Sequence, residues 1–258
     1  MIRFTIATCT FNAEKCITPT LESVLSQTYR DVEHLIIDGK STDSTMTLAA
    51  RYKEKSDASE CYHDVVLLSE PDEGLYHAMN KALTMATGDY IIFLNAGDTF
   101  PADDTLESIS GMVGEEETLP AVIYGDTDIV DSEGKFLRHR RLSPPEDLTW
   151  RSFRHGMLVC HQAFYALTDI ARSTPYDTAY RYSADFDWCL RIMKTAAKRG
   201  MSMKYTGSVV AHYLDGGMTE VHHRASLKER FRIMTHHYGL LPTLAMHAWF
   251  VLRSKLKK

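Results

Sequence analysis

YIIFLNAGDTF, residues 90–100, is the stretch on which the fold turns. Tyr90, Ile91, Ile92, Phe93 and Leu94 form an apolar run without polar alternation, the pattern of a strand covered on both faces. The chain then turns polar at once, through Asn95, Ala96, Gly97 and Asp98. A core strand that stops on an amide and a carboxylate three residues apart predicts a site at its carboxyl end.

The segments before it repeat the same plan. Ile2–Ala7 reads as a strand, with apolar Ile2, Phe4 and Ile6. Thr18–Gln27 reads as a helix, with Thr18 as N-cap and Pro19 in the first helical position. Val32–Ile37 is a second strand, followed by a helix capped by Thr42 or Asp43 and running to about Lys55. Val65–Ser69 is a third strand. Leu75–Ala86 is a helix with Leu75, Met79, Ala82, Leu83 and Ala86 on one face, and Gly88 ends it. Ala121–Tyr124 is a fifth strand. Strands alternating with helices imply parallel pairing through crossovers. The first ~125 residues are therefore expected to form an open, doubly wound α/β sheet.

In such a sheet, ligands bind outside the carboxyl ends of the strands. Thr8-Cys9-Thr10-Phe11-Asn12 follows strand one, and Asp38-Gly39-Lys40-Ser41-Thr42-Asp43 follows strand two. Glu70-Pro71-Asp72-Glu73-Gly74 follows strand three, and Asn95-Ala96-Gly97-Asp98 follows strand four. Each alone is equally an ordinary loop or helix cap; four on one rim describe a polar, acidic cleft. No GxGxxG follows strand one and no GxxxxGK[ST] occurs, so neither a dinucleotide site nor a P-loop is supported. Carboxylates at strand ends suit a hard divalent cation, Mg²⁺ or Mn²⁺, bridging substrate phosphates. A nucleoside diphosphate matches that chemistry.

Bulk properties narrow the field. The 258 residues are 44% hydrophobic, enough for one large core or a core plus a subdomain. A net charge of −5 gives no electrostatic footprint for nucleic acid. Five cysteines, Cys9, Cys16, Cys61, Cys160 and Cys189, form no CxxC pair and are odd in number, which predicts reduced thiols in the cytoplasm. The N-terminus is too short and polar for a signal peptide, and no run of about 18 apolar residues is present.

Two long stretches carry a resemblance. TCTFNAEKCITPTLESVLSQTYRDVEHLIIDGKSTDST resembles the opening of the family 2 glycosyltransferases, inverting enzymes of GT-A fold. EPDEGLYHAMNKALTMATGDYIIFLNAGDTF resembles their second block, where a strand ends on a DXD-type metal motif. The similarity is to the bacterial enzymes of capsule, exopolysaccharide and lipopolysaccharide synthesis. It covers roughly residues 2–220, with CHQAFY at 160–165 and SADFDWCLRI at 183–192 as shorter matches.

The resemblance implies roles position by position. Thr8 and Thr10 fall where the family cradles the nucleoside, with Asn12 and Glu14 following. Asp38 falls where an acidic residue faces the base, commonly uracil, although the loop reads DGKSTD rather than DDGSTD and Gly39 stands at the second acid. Asp72 is placed near the ribose or diphosphate. Asn95 and Asp98 take the outer positions of the DXD-like motif. Asn95 replaces the first acid, so metal ligation rests on Asp98. The family's base lies in an [E/A]D pair ahead of a helix, here Ala184-Asp185; Asp187 is the fallback, able equally to face solvent or hold Arg191 at i+4. His161 and Gln162 correspond to an HQ pair near the donor sugar and acceptor groove, though a His on an apolar element is as readily a core residue.

Three further features complete the reading. His212 could reach the metal or diphosphate from a loop made flexible by Gly216 and Gly217, whereas His222-His223 and His236-His237 suit surface or helix positions. Arg138, Arg140 and Arg141 follow a hairpin turn at Asp131–Gly134 and could meet an anionic acceptor or simply guard a solvated edge. Residues 239–258, GLLPTLAMHAWFVLRSKLKK, combine an apolar, aromatic segment with Arg253, Lys255, Lys257 and Lys258. That suits either an interfacial helix on an anionic leaflet or a helix packed on the domain.

The expectation is a GT-A α/β protein with a donor-binding half at 1–125, an acceptor and base half at 126–220, and a helical extension at 221–258. It would transfer a sugar from a nucleotide diphosphate, UDP favoured, to a glycan or polyprenyl-pyrophosphate-linked acceptor, with Mn²⁺ or Mg²⁺, at the inner face of the cell membrane. A nucleotidyltransferase and a non-catalytic binding module are the alternatives.

Overall fold

The structure, a computed structural model, describes residues 1–59, 63–114, 118–216 and 223–256, and the side chains of all of these but 223 and 253–256. Cys61, Gly217, His222, Lys257 and Lys258, and the side chains of His223, Arg253 and Lys255, lie outside it.

Eight strands form one mixed sheet in the order β3-β2-β1-β4-β7-β5-β6, with β8 also paired to β5. β1 (Phe4–Thr10), β2 (Val32–Asp38), β3 (Asp64–Ser69) and β4 (Tyr90–Phe93) are parallel to one another. β5 (Val122–Val130) lies parallel to β8 (Met203–Leu214) but antiparallel to β6 (Phe136–His139) and β7 (Phe164–Leu167). β7 joins the two sets by pairing antiparallel with β4. The divide expected at residue 125 falls inside β5, so one sheet runs through both halves.

The apolar runs become strands because helices cover both faces. Every residue of β1, β2 and β4 is buried. Polar side chains deep in these strands are satisfied internally, as burial requires, whereas Thr10 Oγ1 at the rim end of β1 has no partner. Glu33 accepts hydrogen bonds from Thr5 Oγ1 at 2.6 Å and from the Thr87 N–H at 2.8 Å. His34 lies between Thr8 Oγ1 at 2.9 Å and the Tyr52 hydroxyl at 2.7 Å.

α1 (Ile17–Leu25), α2 (Thr45–Asp57), α3 (Leu75–Met85) and α4 (Thr105–Val113) flank the parallel strands. α5 (Thr168–Arg172) and the long α6 (Ala184–Arg199) follow β7. α6 is amphipathic and buries Phe186, Trp188, Leu190 and Met193; it ends on Gly200 in the left-handed conformation that a helix C-terminus favours.

α7 (His223–Tyr238) and α8 (Leu240–Leu256) form a helical pair at the end of the chain. α8 turns Thr243, Met246 and Phe250 inward. Its other face exposes Leu240, Leu241, Leu244, Trp249, Val251 and Leu252. No helix among the described residues is long and apolar enough to cross a membrane.

Candidate active site

A cavity of about 350 Å³ opens at the carboxyl ends of β1 and β4. The 3-10 turn His161–Ala163, the start of α6 and the end of β8 close it. Its volume lies within the range of small-molecule sites.

The turn after β4 is built tightly. Leu94 makes its backbone bond to Ala7 O at 3.0 Å, and the Asp98 N–H then closes the turn on Asn95 O at 2.9 Å. Gly97 sits at φ +101°, a conformation that demands glycine, and a Cβ there would press on Leu214 Cδ2 at 2.6 Å. Its N–H donates to Thr20 Oγ1 of α1 at 2.8 Å. β8 is fastened onto the turn by two backbone bonds between Thr99 and His212, at 3.0 and 2.8 Å.

Asp98 is thereby nearly enclosed, with 4% of its surface exposed. Its Oδ1 accepts the Leu214 N–H at 3.1 Å and its Oδ2 accepts Gln162 Nε2 at 2.7 Å. Burial outweighs these bonds and pushes the carboxyl up to about 6.

Asp185 stands on the first turn of α6 across the same cavity. The Tyr76 hydroxyl donates to its Oδ1 at 3.2 Å, and His161 Nδ1 lies 3.5 Å from its Oδ2. His161 Nε2 meets Asn95 Nδ2 at 3.0 Å, so the imidazole spans the gap between the β4 turn and the start of α6. With Nδ2 donating to Nε2, a neutral ring carries its proton on Nδ1, the nitrogen on the Asp185 side. Burial acts to raise the Asp185 pKa, but His161, the Arg230 charge and the Phe186 N–H together hold it below the usual carboxylate range.

The remaining sequence-derived positions divide between the cavity and its supports. Thr10 and Asn12 line the cavity, and Thr10 Oγ1 is buried without a partner. Asn12 also ties loop to loop, since its Oδ1 accepts the Thr42 N–H at 2.9 Å. Thr8 lies inside the sheet, donating to Leu94 O at 2.8 Å. β1 runs on to Thr10, past the end expected at Ala7, so the rim begins two residues later than Thr8. Asp38 is wholly buried, accepting from the Ser41 N–H at 2.9 Å, from Ser69 Oγ at 2.6 Å and from Ser41 Oγ. Asp72 abuts Gly39, where a Cβ would stand 2.8 Å from Asp72 Oδ2. The missing second acid of that loop thus marks where another carboxylate packs.

Asp187 faces away, held by Arg191 Nε at 2.6 Å and His237 Nε2 at 2.7 Å. His212 contributes its backbone to the turn, and its side chain lies on the strand position paired with Asp128. Arg138 bonds Asp215 at 2.8 Å, and Arg140 donates to the carbonyls of Leu142, Met157 and Leu158.

Residues 5–169 match the model of glycosyl transferase family 2. The chain belongs to that family. It is 31% identical over 215 residues to a PGL/p-HBAD biosynthesis glycosyltransferase of Mycobacterium bovis, covering 83% of this chain and 77% of the relative. It is 26% identical to the amylovoran biosynthesis glycosyltransferase AmsB of Erwinia amylovora, over 76% of this chain and 66% of AmsB. Among solved structures, S. aureus TarS 1–349 in complex with UDP-GlcNAc superposes with a TM-score of 0.72 at 15% identity, over 96% of this chain and 73% of that one. The same protein with UDP gives 0.69 at 17% identity, with 92% of this chain covering 65% of that one. The mannosyltransferase PcManGT of Pyrobaculum calidifontis, with GDP-Man and Mn²⁺, gives 0.59 at 19% identity, over 97% and 75%. These likenesses establish the GT-A fold. Family membership sets aside the nucleotidyltransferase and the non-catalytic module.

The glycosyltransferase has the oxygen donors for a hard cation at the β4 turn, though few of them. Among the described residues no three His, Cys, Asp or Glu side chains gather to hold a metal alone. Asp98 keeps lone pairs beyond its two hydrogen bonds, and Asn95 Oδ1 is buried without a partner in the same cavity. One carboxylate and one amide oxygen fit an ion whose other ligands are substrate phosphate and water.

Several cavity residues of the enzyme escaped sequence reasoning: Phe11, Tyr76, Arg181, Tyr182 and Asp215. Phe11, 64% exposed directly after β1, was legible as an aromatic on a rim loop. Tyr76 was legible as the second residue of the helix leaving the third rim loop. Arg181 and Tyr182 carry no motif signal.

Proposed function

We propose that this enzyme transfers a sugar, with inversion, from a UDP-linked donor to a hydroxyl of a glycan or lipid-linked acceptor, with Asp185 as general base. The observation that carries the proposal is the placement of Asp185 in one cavity with the β4 turn, its carboxylate steered by Tyr76 and His161. The acceptor O–H gives its proton to Asp185 while the oxygen attacks the anomeric carbon. The bond from that carbon to the diphosphate breaks, and its electron pair leaves with the diphosphate. A divalent cation, Mn²⁺ or Mg²⁺, held by Asp98 and Asn95, would supply charge neutralisation to the leaving group when bound. Thr10 and Asn12 face the nucleoside, and Phe11 offers a ring on which a base can stack. UDP is favoured because TarS, of the same fold, binds UDP-GlcNAc.

The test is a thermal-shift panel of nucleotides and nucleotide-sugars with Mn²⁺. Selective stabilisation by UDP-sugars supports the reading; indifference to every nucleotide diphosphate contradicts it.

A peripheral membrane site for the enzyme is supported by α8. Its exposed leucines, Trp249 and Val251 form an apolar face, and the sequence beyond is basic. That arrangement suits a polyprenyl-linked acceptor at an anionic leaflet. Flotation with anionic but not neutral vesicles is expected, and Leu241→Glu with Leu244→Glu should abolish it; equal flotation of the double variant would contradict the membrane role.

A further inference from the structure

The charged lining of the cavity is unbalanced. Asp98, Asp185 and Asp215 contribute carboxylates, whereas Arg181 is the one Lys or Arg among the described lining residues. A diphosphate entering such a site needs positive charge, and a single shared cation beside three acids is little.

Other arginines of this chain show what a structural guanidinium looks like here. Arg138 is bonded to Asp215, Arg191 to Asp187, and Arg140 to three carbonyls. Arg181 differs: its guanidinium makes no ion pair among the described residues and rests 5.9 Å over the Tyr182 ring. Glu229 of α7 is within reach of the same loop, yet it leaves the guanidinium alone. Its Oε1 accepts the backbone N–H of Arg181 at 2.9 Å and its Oε2 that of Tyr182 at 2.8 Å. Ser226 Oγ, one turn earlier on α7, meets Ser183 Oγ at 2.9 Å. The loop backbone is thus fastened to α7 while the charged side chain stays available, four residues before Asp185.

We propose that Arg181 is the protein's own diphosphate clamp in this cavity, and that Glu229 is the positioning residue that sets it there. The inference deepens the glycosyl-transfer reading and rests on it. A planar guanidinium pairs two phosphate oxygens at once, which an ammonium cannot do. The diphosphate is that of the nucleotide donor or that of a lipid-linked acceptor; the chemistry is common to both.

Calorimetry on the full chain with Mn²⁺ separates them, using UDP, uridine and a polyprenyl diphosphate in detergent micelles. Arg181→Ala should weaken UDP binding about tenfold or more and leave uridine binding unchanged, with Arg181→Lys intermediate. Loss of polyprenyl diphosphate binding with UDP retained supports the same clamp acting on the acceptor. Unchanged affinity for both diphosphates overturns the proposal. Glu229→Gln should shift diphosphate affinity severalfold in the same direction without altering uridine, and an unchanged affinity removes Glu229 from the account. Wild-type protein that binds neither diphosphate would refute the glycosyl-transfer reading itself, a result recognisable before any variant is made.

Discussion

Asp98 at the β4 turn and Asp185 at the start of α6 are two buried carboxylates in one cavity, and their surroundings drive them in opposite directions. Asp98 is bonded by neutral donors, an amide and a backbone N–H, and burial pushes it up to about 6. Asp185 accepts from the Tyr76 hydroxyl and faces the His161 imidazole at 3.5 Å with Arg230 nearby, and it stays below the usual range despite burial. Burial alone therefore says little about a carboxylate: at Asp98 it outweighs the Gln162 and Leu214 bonds, whereas at Asp185 His161, the Arg230 charge and the Phe186 N–H outweigh it. The difference suits two tasks. An ionised Asp185 is ready to take a proton, and an Asp98 that resists ionisation gains by acquiring a cation.

The sharpest way to break this comparison is Asp185→Asn. Donor binding should persist while turnover falls about 10³-fold, within the usual range for a general base. A steady-state rate within a few-fold of wild type would move the base elsewhere.

Asp98→Asn tests the other carboxylate through the pH dependence of stability. The carboxyl's folded-state pKa of about 6 exceeds the ordinary 3.8 of an aspartate in an unfolded chain. Its contribution to stability is thus complete below about 4 and lost as pH rises through about 6. The metal-free wild type should therefore lose stability as pH rises from about 5 to about 7.5, and Asp98→Asn, with no carboxyl to ionise, should lose that part of the pH dependence while transfer is lost. Calorimetric melting in EDTA across this pH range reads this out, and a variant with the wild-type pH dependence of Tm would refute the assignment.

His161→Ala tests the bridge between the two carboxylates. Turnover should fall about 10- to 100-fold. Without the imidazole, burial is less opposed and the Asp185 pKa rises, so the acid limb of the pH–rate profile moves to higher pH. A lower plateau with an unmoved limb would leave His161 with a packing role only.

The smallest effect concerns the rim that supports the turn. Lys40 occupies φ +68°, a conformation that costs a non-glycine residue of order 1 kcal/mol. Lys40→Gly should raise stability by about 0.5 kcal/mol in urea unfolding with activity unchanged, because part of the relief is offset by backbone entropy.

How far the sequence reveals these regions follows from what holds each one. β1 to β4 are legible because strands covered on both faces become unbroken apolar runs, and their rim loops keep a fixed order. Boundaries are not: α1 starts at Ile17, before the expected cap Thr18, because the Ile17 N–H reaches back to Ala13 O at 2.9 Å. β8 is illegible because its pairing with β5 slips around Asp126, which breaks any alternation along MKYTGSVVAHYL. Asp98 and Asp185 stand in local motifs and could be picked out. The fate of Asp187 rested on His237, fifty residues away, as Arg181 rests on Glu229 of α7. Such contacts arise only when α7 docks, and no local pattern announces them.

The central claim is that a nucleoside diphosphate lies between the β4 turn and the start of α6. A crystal of the protein soaked with UDP and Mn²⁺ tests it most directly. The account predicts diphosphate density bounded by Asn95 and Asp98 on one side and facing Asp185 on the other. UDP bound elsewhere, with this cavity left to water, would contradict it.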